Sequence, residues 1–192
     1  MKVGLFFGSF NPIHVGHMII ANYMYEFTNL DEVWFVVTPH SPFKKKKTLL
    51  SDNHRFQTVM VATEDYIKLK PTKIEFDLPQ PNYTIDTLTH LYENYTQHEF
   101  SLIMGEDNLH SFHKWKNHEM IIENHSIYVY PRNSGTMKKS KFHDHLKVNF
   151  VDAPIVEISS TFIRNAIHNN KDIRSFLPTN VWKYIDEMNF YK

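Results

Sequence analysis

Gly8-Ser9-Phe10-Asn11-Pro12-Ile13-His14-Val15-Gly16-His17 decides how the rest of the chain is read. It follows the apolar run Val3-Gly4-Leu5-Phe6-Phe7 and precedes a helix-period pattern through Met18, Ile19, Ala21, Asn22, Tyr23, Tyr25 and Glu26. The order predicted is strand, tight Gly/Pro turn, helix. In an open α/β sheet such a junction is where ligands bind. Gly8 lets backbone pass close to a ligand with no Cβ in the way. Asn11-Pro12 breaks the strand direction and sets a turn. Gly16, at the helix start, leaves backbone N–H groups facing an anion. His14 and His17 lie three apart, which puts both imidazoles on one side. Beside a helix N-terminus they suit a phosphate, because they can donate hydrogen bonds to charge that builds on its oxygens. The competing readings are a plain turn with two surface histidines and a His-x-x-His zinc pair. The zinc pair lacks a third ligand at fixed spacing. The Walker pattern G-x-x-x-x-G-K-[ST] is absent.

A chain of 192 residues has the length of one domain with a substantial core, here taken as 1–192. No apolar run approaches the ~20 residues that span a membrane. Val3 to Phe7 is too short for a secretory leader and runs straight into the turn. With no cysteine, disulfides and thiolate metal sites are excluded, and the cytoplasm is the simplest compartment. A formal net charge of +0 argues against nucleic acid as a partner. Most of the 13 histidines, among them His90, His98, His125, His143 and His168, sit in polar surroundings and read as surface residues. Oligomeric state is open, a homo-oligomer included.

Further along, Val33 to Val37 reads as a buried parallel strand. It ends in a Pro-containing segment and the run Lys44-Lys45-Lys46-Lys47. Ser51 or Asp52 caps a helix with Phe56, Val59, Met60 and Thr63 on one face, and Arg55 reads as a surface residue in its first turn. Thr72 to Phe76 is expected as a strand. A helix from Tyr83 carries the stripe Leu88, Leu91, Tyr92 and Tyr95, with Thr84 or Asp86 as its cap. Phe100 to Met104 is a buried strand that ends in Gly105-Glu106-Asp107, where a carboxylate can accept from a ribose. Trp115 either stacks on a flat ring or packs in the core. Ser126 to Tyr130, Val148 to Val151 and Ile155 to Glu157 are expected strands, and residues 131–147 a long exposed loop. Arg132 stands where it can reach phosphates or simply face water. Ser159 or Ser160 caps a helix from Thr161 with hydroxyls and N–H groups that suit triphosphate oxygens. Arg164, one turn on, can grip phosphates with its fork.

Two stretches carry a family resemblance. Residues 8–17 resemble the G-x-F-x-P-x-H-x-G-H signature of the nucleotidylyltransferase superfamily, and Ile158-Ser159-Ser160-Thr161-Phe162-Ile163-Arg164 resembles its I-S-S-T-x-I-R signature. Pro81-Asn82-Tyr83-Thr84-Ile85-Asp86-Thr87-Leu88 and Gly105, Asp107, Trp115 resemble the nicotinate-mononucleotide branch. The resemblance implies a Rossmann-like, doubly wound parallel sheet in three α/β/α layers. It implies adenylyl transfer from ATP to nicotinate mononucleotide, with Mg²⁺ bound through the ATP phosphates and no protein metal site. His14, His17 and Arg164 are the implied catalytic residues. Gly8, Ser9, Phe10, His14, Gly16, His17, Lys44, Gly105, Asp107, Ile158, Ser159, Ser160, Thr161 and Arg164 are implied at ATP. Asn11, Lys44, Tyr83, Thr84, Trp115 and Arg132 are implied at the mononucleotide. Some relatives have a second aromatic directly after the Trp; here it is Lys116, which either faces the nicotinate carboxylate or points into water. The alternatives are nicotinamide mononucleotide or phosphopantetheine as acceptor, and a nucleotide-binding module without turnover.

Overall fold

The computed structural model describes residues 1–42, 49–132 and 139–192. Six parallel strands form one sheet: β1 (Lys2–Gly8), β2 (Glu32–Val37), β3 (Leu69–Thr72), β4 (Glu99–Gly105), β5 (Ile127–Tyr130) and β6 (Val148–Phe150). Their order is β3-β2-β1-β4-β5-β6. The chain direction across the sheet therefore reverses between β1 and β4, the switch point at which open α/β sheets bind ligands beyond the strand ends.

Alternation along the strands builds two cores, one on each face. Phe6, Val33, Phe35, Val37, Ile103, Tyr128 and Tyr130 face α1 (Val15–Phe27), α2 (Asp52–Thr63), α6 (Ser160–His168) and α7 (Thr179–Glu187). Val3, Leu5, Trp34, Val36, Leu102, Met104, Ile127 and Val129 face α3 (Thr84–Asn94), α4 (Glu106–Ser111) and α5 (His118–Asn124). This is the three-layer α/β/α arrangement expected.

Several local expectations are corrected. The strand near residue 72 is Leu69–Thr72, paired with β2; residues 73–76 turn away from the sheet. Ile155 to Glu157 form no strand. Tyr92 is exposed, so the inner stripe of α3 is Leu88 and Leu91. Tyr83 is the N-cap of α3 and supplies no side-chain cap, so neither Thr84 nor Asp86 holds that position. His125 is not a plain surface residue: it lies half-buried with Nδ1 2.9 Å from the Phe100 carbonyl, and burial lowers its pKa.

Arg55 is the largest departure. It is 0% exposed, and α2 buries Arg55, Thr58 and Ala62 beside the expected Val59 and Thr63, while Phe56 packs partly on the core and Met60 is exposed. Its guanidinium donates to the carbonyls of Ser9 (2.6 Å), Thr38 (2.9 Å), Pro39 (3.4 Å) and Leu50 (3.2 Å), and pairs with Asp52 at 2.6 Å. One side chain thus ties the exits of β1 and β2 to the start of α2. Removing it leaves buried carbonyls without a donor and opens a cavity. Arg55→Leu is expected to lower the unfolding free energy by more than about 3 kcal/mol, read from urea denaturation near neutral pH.

Candidate active site

The turn after β1 is compact and strained. Phe10 adopts φ 42°, in the left-handed region that costs a non-glycine residue. Its buried ring folds back beneath Gly8, where a Cβ would lie 2.7 Å from the ring. Gly8 is therefore small to admit Phe10, and only secondarily to admit a ligand. The Phe10 ring packs edge-on against Phe6, Phe35 and His17.

His14 is the N-cap residue of α1 and His17 lies in its first turn. Their rings stack with centroids 3.7 Å apart. His17 Nδ1 accepts the backbone N–H of His14 at 3.2 Å, so Nε2 carries the ring proton and is the outward donor. His14 is buried, and its Nδ1 meets no hydrogen-bond partner among the described residues. Burial, helped by the nearby Arg132 charge, lowers its pKa to about 4. Both rings are thus set up as neutral donors.

The two signature stretches meet here. Ser160 Oγ donates to the Pro12 carbonyl at 2.8 Å, and Arg164 Nη1 donates to the Asn11 carbonyl at 2.8 Å. Ile158 lines a small pocket of about 20 Å³ with His14, Gly16, His17 and Arg132. Ser159 caps α6, accepting from Phe162 N at 3.1 Å, and keeps its own O–H to donate. The Ser160 hydroxyl proton goes to the Pro12 carbonyl, which ties α6 to the turn. Arg164 also donates to Thr161 Oγ1 at 3.2 Å and is half-buried.

Asn11 is 1% exposed, and its Oδ1 accepts from Leu50 N at 3.2 Å and Tyr191 O–H at 2.8 Å. It is a junction between the turn, the approach to α2 and the far end of the chain. Lys44 lies outside the described residues.

A larger cleft of about 410 Å³ opens beside the histidine pocket. Gly8, Ser9, Tyr83, Thr84, Trp115 and Lys116 line it, and Phe6 and Tyr130 are walls common to cleft and pocket. Trp115 is half-buried and packs edge-on to Phe112 at 5.4 Å, which leaves part of the indole to the cleft. Lys116 pairs with Asp86, Nζ lying 3.0 Å from both carboxylate oxygens and 4.8 Å from the Tyr83 ring centroid. Its ammonium therefore has a counter-ion, while its side chain stays exposed. Gly105 ends β4, and a Cβ there would collide with Asp107 Oδ1. Asp107 is exposed and 3.8 Å from Arg132 Nε, beyond the histidine pocket.

A cytidylyltransferase-like family model matches residues 5–166, from β1 into α6. A probable nicotinate-nucleotide adenylyltransferase of Flavobacterium johnsoniae is 62% identical over 192 residues, 100% of each chain. The chain belongs to the nicotinate-nucleotide adenylyltransferase family. The probable nicotinate-nucleotide adenylyltransferase of Bacteroides fragilis is 49% identical over 184 residues, covering 96% of this chain and 90% of that one. Among solved structures, the Plasmodium falciparum nicotinic acid mononucleotide adenylyltransferase complexed with NaAD matches with a TM-score of 0.83 over 99% of this chain and 97% of that one. At 19% identity this last likeness speaks for the fold.

In this member of the nicotinate-nucleotide adenylyltransferase family, sequence reasoning missed two cleft residues. Glu75 is 1% exposed and lines the cleft, with Oε1 accepting from Thr87 Oγ1 at 2.6 Å. Burial pushes its carboxyl up, against hydrogen bonds from Thr87 and Thr38 that pull it down. Asn82 donates to the Glu75 carbonyl at 3.0 Å and accepts from His40 N at 3.1 Å, fixing this segment to the exit of β2. Both follow prolines and a turn whose course no periodicity reveals. For Arg55 a signal existed: it shares a helical face with Val59 and Ala62.

The low pKa of His14 has a sign in stability. Unfolded, the ring protonates near 6.5; folded, it resists until about 4. The fold therefore loses stability as pH falls from 6.5 toward 4, by about 3 kcal/mol in full, and is indifferent to this group above 6.5. Urea midpoints between pH 7 and pH 5 are expected to fall less steeply for His14→Gln than for the parent. Equal slopes would mean that His14 titrates in the fold as it does in the unfolded chain.

Proposed function

We propose that this site transfers the adenylyl group of ATP to nicotinate mononucleotide, giving nicotinate adenine dinucleotide and pyrophosphate. The observation that carries the reading is the wall common to the histidine pocket and the cleft. A phosphate held at His14 and His17 and a flat ring lying against Trp115 and Tyr83 are then neighbours within one ligand set. The names of the relatives point to the same substrate.

The acceptor phosphate is already an anion, so no strong base is required and no covalent intermediate forms. Its oxygen attacks the α-phosphorus of ATP in line, and pyrophosphate leaves. Catalysis comes from position and from neutralising charge. His17 Nε2–H and the first backbone N–H groups of α1 donate to the α-phosphate. The donor set nearby, Arg132, Arg164 and Ser159 with the N-terminus of α6, serves the charge of both phosphate chains. A neutral His14 donates one hydrogen bond and adds no fixed charge that product release must overcome. These donors suit anions and not a cation, so a Mg²⁺ ion would come with ATP and would supply further neutralisation of the triphosphate charge. Asp107, at the end of β4, is offered to a ribose hydroxyl.

His17→Ala is expected to lower kcat by two or more powers of ten while thermal unfolding stays close to the parent's. The measurement is pyrophosphate release with ATP and, separately, nicotinate mononucleotide, nicotinamide mononucleotide and phosphopantetheine. Turnover with phosphopantetheine alone would replace this reading.

A further inference from the structure

The cleft carries an asymmetry of charge that bears on acid against amide at the pyridine ring. Among the residues that line it, the formally charged side chains are Lys114, Lys116 and Glu75. Glu75 is buried against Thr87, and burial disfavours its charge. Asp86, the counter-ion of Lys116, stands in the first turn of α3 and is not part of the lining. The inner surface is therefore cationic, with its balancing anion set behind it.

Lys116 is placed to move between two partners. Its Nζ sits over the Tyr83 ring at 4.8 Å and on Asp86 at 3.0 Å. Tyr83 and Trp115, the residue before Lys116, are two of the aromatic side chains lining the cleft. The side chains of Lys116 and Asp86 are 45% and 43% exposed. An ion pair so wet contributes little and is cheaply exchanged. A ligand carboxylate entering beside Trp115 offers a second anion within the swing of one long side chain. A carboxamide offers no charge in return.

We propose that Lys116 is the residue that selects the acid: its ammonium, held on Asp86 across Tyr83, is shared with the ring carboxylate of nicotinate mononucleotide, and this contact separates the acid from its amide. The proposal rests on the adenylyl-transfer reading and adds its specificity. It also assigns Asp86 a defined part, as competitor for the ammonium, and that gives the two partners opposite signs.

The test is steady-state kinetics at saturating ATP with nicotinate and nicotinamide mononucleotides, for the parent, Lys116→Met and Asp86→Asn. Lys116→Met is expected to raise KM for the acid about tenfold and to leave KM for the amide within about twofold. Asp86→Asn frees the ammonium and is expected to lower KM for the acid, with the amide unmoved. A purely structural brace predicts otherwise: both variants then break the same pair and shift both substrates in the same direction. That outcome, or no change on Lys116→Met, overturns the proposal. If the parent turns over neither mononucleotide, the functional reading fails separately. Quenching of Trp115 fluorescence by each mononucleotide, in a Trp34→Phe/Trp182→Phe background, then decides the role of Lys116 by the same comparison of Kd values.

Discussion

A single buried guanidinium holds together the loops on which everything else stands. Arg55 takes carbonyls from the turn after β1, from the exit of β2 and from the segment before α2. These pieces are far apart in sequence, and each would otherwise present backbone oxygens to a dry interior. A fork of N–H donors is the side chain that can satisfy several carbonyls at fixed angles. Asp52, at 2.6 Å, balances the charge. From that frame the turn gains its shape: Phe10 is held in a strained backbone conformation beneath Gly8, and His14 is delivered to the start of α1.

The second signature closes the other side. α6 is bonded to the turn twice, through Ser160 on Pro12 and Arg164 on Asn11. The N-terminus of α1 and two imidazoles then look onto one small pocket, whose lining also takes in Ile158 just ahead of α6. The electrostatics follow the same economy. The chain as a whole carries a formal net charge of +0, so cationic character is local to the site. The site relies on oriented N–H donors, with His14 kept neutral by burial and by Arg132, and with His17 fixed in one tautomer by the backbone of His14. Donors oriented in advance cost no reorganisation when charge shifts between phosphates.

The sheet, the position of the turn and the pairing of residues 8–17 with 158–164 could be read directly from residue patterns and family resemblance, because apolar runs and short glycine- and serine-rich motifs are local signals. What residue patterns leave open has a common physical origin. The polar groups of Ser160 and Asn11 suit phosphates and mononucleotides, and the fold also engages them with backbone and with Tyr191. A charge is costly to bury, which makes Arg55 read as a surface residue; four carbonyls and a carboxylate offset that cost here. Glu75 and Asn82 lie on a turn that has no period to show them.

By itself the sequence determined which residues could meet an anion: it set imidazoles and hydroxyls at the starts of two helices, and strand alternation put those starts at one edge of a sheet. Only the tertiary structure decided which of those groups are still available. A hydroxyl, an amide or an ammonium has a limited number of hydrogen bonds to give, and whether they go to a ligand, to a distant carbonyl or to a neighbouring carboxylate depends on contacts between segments far apart along the chain. Ser159 and Ser160 are adjacent and chemically identical; one caps its helix with a proton left to donate, and the other is already bonded to Pro12.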